Sequence, residues 1–276
     1  MRNLSEVAAG NAAAVKRQSK SLIDNDSSGR VGRFHRVAGE SRLVTNVLPH
    51  KVLAFDFHDE LLDARRLYVH YSGGDQVAGI TEFERSQPAG RLRFEGMWEY
   101  GDRFLYGTAN AGGPGAAGFG SICLVIADPQ TPPPDALAVF PDDSVKRYAP
   151  ADALDEALAT AEAAPWEQRG DVAVIKLWSE VGKVPEVRWP HLLCNRGDYL
   201  EVVRAGSLPL RNLGEVRISP RQWDGWQELR TRMHNGDVLT ADESPLVATL
   251  EALDRWRSDL GVPIHFEEMD EDALEA

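Results

Sequence analysis

The stretch Gly113-Pro114-Gly115-Ala116-Ala117-Gly118-Phe119-Gly120-Ser121-Ile122-Cys123-Leu124-Val125-Ile126-Ala127-Asp128-Pro129 decides the fold class. Its first six residues spell G-x-G-x-x-G. In a dinucleotide-binding unit such glycines allow a tight turn and let a pyrophosphate approach the N-terminus of a helix. Phe104-Leu105-Tyr106 supplies a strand before the motif, and Asp142, 24 residues after Gly118, supplies an acid for ribose hydroxyls. The helix is what fails: Phe119-Gly120-Ser121 stands where it must begin, and residues 122–127 are an unbroken β-type run that Asp128-Pro129 ends. The expectation is a glycine-rich loop between two strands. Five glycines in residues 112–120 give that loop the freedom to cover a ligand cleft, with Gly113, Gly115 and Gly118 as candidate ligand-binding positions.

Upstream of the motif, short apolar runs at 33–37, 43–48, 52–57, 67–71, 77–83, 92–100 and 104–106 are separated by Gly, Pro and Asp, which reads as antiparallel sheet with one short helix at 59–65. Downstream, Thr131-Pro132-Pro133-Pro134-Asp135 is a stiff loop, because proline cannot donate to a sheet. A strand at 137–140, a helix over 151–164 stopped by Pro165, and strands at 172–178, 199–204 and 215–218 follow. Ser219-Pro220 and Ser244-Pro245 each read as a cap followed by proline in the first helical turn, and so open two final helices. The class is α+β, a mainly antiparallel sheet region followed by a mixed part ending in two helices. Four segments are expected: a disordered tail over 1–30, an antiparallel-rich α+β domain over 31–150, a mixed part over 151–266 that belongs to the same domain or forms a second, and an acidic tail over 267–276.

The 276 residues hold 30 Lys and Arg against 43 Asp and Glu, a formal charge of −13. Phosphate neutralisation needs a basic face, so nucleic acid is not expected as the main partner. The longest apolar run, 122–127, has six residues, against the roughly 20 needed to cross a bilayer, and no membrane partner is expected. The N-terminal residues lack an apolar secretory core. Cys123 and Cys194 sit among apolar neighbours and read as two buried thiols, which suits a cytoplasmic protein.

For chemistry, strand alternation over Val52-Leu53-Ala54-Phe55-Asp56-Phe57-His58 puts Asp56 and His58 on one face, and His70 shares a face with Tyr68 and Ser72 in its own run. Pairing of the two would bring His70 beside Asp56 and His58, giving a His–carboxylate unit for acid–base work. These three are the candidate catalytic residues, although solvated, hydrogen-bonded histidines fit the same spacing. No metal-type spacing occurs, and no metal is expected. Tyr106 and Asn110, beside the glycine loop, are further candidate ligand-binding residues. A G-x-S-x-G elbow, a P-loop and zinc-type cysteine pairs are all absent. The reading is an enzyme or small-ligand-binding protein with a His-, Asp- and Tyr-lined cleft under the loop. A nucleotide or NAD-type ligand fits the glycine pattern, and no cofactor is otherwise indicated. The alternative is an acidic interaction module that regulates or inhibits a basic protein partner, its charge speeding encounter.

The block Tyr106-Gly107-Thr108-Ala109-Asn110, followed by Phe119-Gly120-Ser121 and a β run, resembles blocks in some ADP-ribosyltransferase-like toxin families. The resemblance implies an Arg or His on an early strand, a strand bearing Ser or Tyr, and a late catalytic Glu. Arg36, Ser72 and Glu268 occur in that order. The chain departs from the pattern at Ser72, which lacks Ser-Thr-Ser surroundings, and at Glu268, which falls in the acidic tail, and membership does not follow.

Overall fold

The computed structural model describes residues 1–150, 153–195 and 197–267. Residues 122–126 become a central strand, as an apolar run without helical spacing should. Among the described residues seven strands form one sheet: β1 (Arg42–Val47), β2 (Phe104–Asn110), β3 (Ile122–Ile126), β4 (Ala136–Phe140), β5 (Glu201–Ala205), β6 (Leu213–Ile218) and β7 (Ile264–Phe266). Their order is β4-β5-β2-β1-β3-β6-β7. All neighbours are antiparallel except β6 and β7. The fold is α+β. Strands from 31–150 and from 151–266 alternate within the sheet, β5 lying between β4 and β2, so these two segments share one sheet.

The helices are α1 (Leu4–Asp24), α2 (Arg30–Gly39), α3 (Pro49–His58), α4 (Ala64–Tyr71), α5 (Gln76–Ser86), α6 (Ala89–Gly96), α7 (Ser144–Tyr148), α8 (Glu156–Glu162), α9 (Arg169–Val181), α10 (Trp189–Leu193), α11 (Pro220–His234) and α12 (Ser244–Asp259). Several correct the strand reading. Residues 33–37, 52–57, 67–71, 77–83 and most of 92–100 lie in or at the ends of α2 to α6, and 172–178 lies in α9. Each run is short enough to suit either period, and local caps decide. Asp63 accepts from the Arg66 N–H, Asp75 accepts from the Ala78 N–H, and Pro49 occupies the first turn of α3. In α9, Gly170, Ala173, Val174, Leu177 and Val181 are buried at helical spacing. Residues 59–63 form the link before α4 rather than the start of a helix.

Residues 1–30, expected as a disordered tail, instead hold α1. Leu4 and Ala8 are fully buried, Asn11 donates to the carbonyls of Thr160 and Ala163 at 2.7 and 2.8 Å, and the Leu137 N–H donates to Ser5. The acidic tail lies outside the described residues apart from Glu267, whose N–H bonds the Ile218 carbonyl. No helix among the described residues is long and apolar enough to cross a membrane.

Residues opposite each other in an antiparallel ladder point to the same side, which gives the sheet two unlike faces. One carries Leu43, Ala109, Leu124, Val202 and Val216 and packs on α9, α11 and α12 in the main core, with Trp223 and Trp226 among its buried residues. The other carries Val44, Asn46, Tyr106, Thr108, Glu201 and Arg217, and it is this polar face that the loop and α6 and α7 cover.

Candidate functional site

A cleft of about 470 Å³ opens on the polar face, floored by β1, β2 and β5 and walled by α3, α6 and α7. Phe55, Leu61, Leu62, Leu67 and Phe104 make one part of its lining apolar, while Lys51, Arg91, Tyr106, Asp143, Tyr199 and Glu201 make another part polar. Ala116 and Phe119 of the glycine loop also line it. Phe119 stays half exposed and meets the Tyr199 ring edge-on at 5.8 Å. The loop is folded down onto β1. Asn46 donates to the carbonyls of Pro114 and Gly120, and Gly115, at φ +71°, sits so close that a Cβ there would lie 2.4 Å from Asn46 Oδ1. Only glycine fits that position without strain.

Glu201 is the centre of the cleft's chemistry. It lies opposite Thr108 on β2 and Phe140 on β4 and is buried. The Ser144 N–H donates to its Oε2 at 3.1 Å, and none of its bonds comes from a charged donor. Burial pushes its carboxyl up to about 8, with the Asp143 charge adding to the rise. Burial thus favours the protonated form of Glu201, which can both donate and accept. Beside it the Tyr106 hydroxyl donates to Glu95 at 3.2 Å. Glu95 also accepts from Arg91 and Arg65, each at 2.8 Å. The Arg91 guanidinium lies 4.7 Å from the centre of the Tyr106 ring. Asp143 accepts from the Tyr199 hydroxyl at 2.9 Å.

The residues expected from the sequence fall in different places. His58 and His70 do meet, Nε2 to Nδ1 at 3.2 Å, because the end of α3 and the last turn of α4 adjoin across the 59–63 link. They line a separate cleft of about 750 Å³ together with Arg65, Arg66, Asp102 and Arg103. Burial first, then the neighbouring His70 and Arg66, holds His58 below the usual histidine range. Asp56 does not join them. It accepts from Arg255 at 2.6 Å and from the Trp256 indole N–H at 2.8 Å, which ties α3 to α12. In a helix, positions two apart point to different sides, so the alternation that grouped Asp56 with His58 does not apply. Among the described residues no three His, Cys, Asp or Glu side chains group to hold a metal ion.

Tyr106 lines the Glu201 cleft. Asn110 and Gly113 serve the framework instead, since the buried Arg217 donates to Asn110 Oδ1 at 3.0 Å and to the Gly113 carbonyl at 2.7 Å. Gly118 lies in a single 3-10 turn, Ala117–Phe119. Of the residues named from the ADP-ribosyltransferase resemblance, Arg36 is on α2, Ser72 caps the end of α4, and Glu268 lies outside the described residues. Glu201, Arg91, Glu95 and Lys51 escaped the sequence reading. The available signal was Glu201 itself, a carboxylate inside the strand run Tyr199-Leu200-Glu201-Val202-Val203, on the face opposite Leu200 and Val202. No protein-family model matches the chain, and no curated protein matches it.

Proposed function

We propose that the chain is a soluble, cytoplasmic enzyme that binds a nucleotide or NAD-type ligand in the Glu201 cleft and transfers a group from it, with Glu201 as the acid–base residue. The observation that carries the reading is the placement of Glu201, a carboxyl buried at the floor of an open cleft with the Ser144 N–H as its donor, where burial pushes its pKa up to about 8. A group that titrates near the working pH can give a proton to a departing atom and take one from an incoming hydroxyl. The apolar lining around Phe55, Leu62 and Phe104 suits a flat ring. Thr108 and Glu201, side by side on β2 and β5, suit sugar hydroxyls, and Phe119 on its loop suits a cover that excludes water.

The resemblance to ADP-ribosyltransferase-like families adds no support, because Arg36 lies on α2 and Ser72 at the end of α4 and neither lines the Glu201 cleft. The buried thiols Cys123 and Cys194, neither in a disulfide, suit the reducing cytoplasm. The interaction-module reading draws on Phe57, 76% exposed, and on Val77, 78% exposed. The cleft beside Phe57 is edged by Arg65, Arg66 and Arg103 together with Asp63 and Asp102, a mixed rim rather than the acidic one a basic partner calls for.

The test is incubation with NAD and with nucleoside phosphates, following the released base or nicotinamide by chromatography, with Glu201→Gln as the control. Turnover is expected to fall by about 100-fold or more in the variant while ligand binding persists. Equal turnover in both proteins, or no binding of any of these ligands, overturns the proposal.

A further inference from the structure

We infer that Lys51 and Arg91 together form a receptor for a phosphate group on the ligand of the Glu201 cleft. The inference rests on the reading of that cleft as a small-molecule site. Both side chains line it. Lys51 stands in the first turn of α3, and among the described residues its ammonium has no hydrogen-bond or ion-pair partner. In a half-buried position that is costly, and the ordinary remedy is an adjacent carboxylate. Here the charge acting on Lys51 is a like one. Burial, then the Arg91 guanidinium, holds its ammonium below the usual lysine range.

The acids of the cleft are already committed. Glu95 uses both oxygens on Arg91, Arg65 and Tyr106. Asp143 accepts from the Tyr199 hydroxyl and from the N–H groups of Val145 and Lys146, and Lys146 lies 3.8 Å from it. Burial favours the protonated form of Glu201. Arg91 spends Nε on Glu95 and Nη1 on Gln87, and among the described residues Nη2 has no hydrogen-bond partner. Arg91 is ion-paired with Glu95 through Nε, and Glu95 is shared with Arg65, so one carboxylate serves two guanidinium groups while Lys51 adds a further positive charge to the same cleft. That excess of positive charge, in a chain of net charge −13, suits a phosphate, at roughly −1.5 to −2 near neutral pH, better than a singly charged carboxylate. Arg supplies directed donors and Lys a point charge, the usual division of labour at phosphate sites.

Inorganic phosphate, AMP and adenosine are the probes, each titrated into the wild type, Lys51→Met and Lys51→Arg. Met keeps the side-chain stem and loses no partner among the described residues, so the variant should fold. Phosphate should bind the wild type, bind Lys51→Met about tenfold more weakly, and bind Lys51→Arg nearly as well as the wild type. A second readout follows the lysines after ¹³C reductive methylation. The resonance lost in Lys51→Met should titrate at higher pH once phosphate is present, which a lysine of purely structural role would not do. Phosphate binding unaffected by Lys51→Met, no phosphate binding at all, or a Lys51 resonance indifferent to phosphate overturns the inference. If adenosine binds but phosphate ignores Lys51, the receptor fails and the cleft reading stands. If phosphate needs Lys51 but neither AMP nor adenosine competes for the cleft, the receptor stands and the nucleotide reading fails.

Discussion

Replacing Glu201 by Gln should stabilise the protein, and by an amount that grows with pH. Burial raises the folded-state value from the ordinary 4.5 to about 8, so the folded chain keeps a proton that the unfolded chain releases across that interval. The favourable contribution is fully present below about pH 4.5 and is lost as pH rises through about 8. The slope is about −1.4 kcal/mol per pH unit, and across the interval the loss approaches ~5 kcal/mol. Gln carries no charge at any pH and can still accept the Ser144 N–H, so it lacks this slope. The assay is guanidinium unfolding of both proteins at several pH values from about 5 to 8. The difference in unfolding free energy should widen in favour of Glu201→Gln by about 1 kcal/mol or more per pH unit. Curves that stay parallel within about 0.3 kcal/mol per pH unit would falsify the assignment of Glu201 as a neutral acid.

Other substitutions probe the frame around the cleft. Trp226, buried against the sheet from α11, should cost about 3–5 kcal/mol on change to Ala, read by denaturant unfolding; a loss under about 1 kcal/mol would put it at the surface. Leu4→Ala should cost about 2–4 kcal/mol, because α1 is packed structure, whereas a tail residue would cost almost nothing. Gly115→Ala should cost about 1–3 kcal/mol through its left-handed backbone and the contact with Asn46, and limited proteolysis should then cut within 112–120; unchanged protease resistance would mean that the loop has another way to close.

The apolar runs at 43–48, 122–127, 137–140, 199–204 and 215–218 were legible as strands because they are short, rich in β-branched residues and bounded by turn residues, without helical spacing. The Ser219-Pro220 start of α11 was legible for the opposite reason, and Ser219 does accept from the Gln222 N–H. Between residues 49 and 96 the sequence is ambiguous in physical terms. Helices of eight to eleven residues carry too few apolar positions to distinguish a period of 3.6 from one of 2, and the deciding Asp63 and Asp75 caps read equally well as turn residues. That ambiguity also hid the site. The faces of Lys51 and Arg91 cannot be assigned until their segments are known to be helical, and Glu95 appears in the sequence as one more solvated acid. His58 and His70 adjoin through a helix–link–helix arrangement rather than through paired strands, and that arrangement carries Asp56 off to Arg255 and Trp256.

The role given to Glu201 is open to a ¹³C NMR titration of its side-chain carboxyl, assigned by comparison with Glu201→Gln, without and with a saturating nucleotide or NAD. The expected result is a midpoint near 8 in the free protein that moves when the ligand binds, because the carboxyl is both buried and part of the cleft. A midpoint close to 4.5, or one near 8 that no ligand of this class displaces, would contradict it.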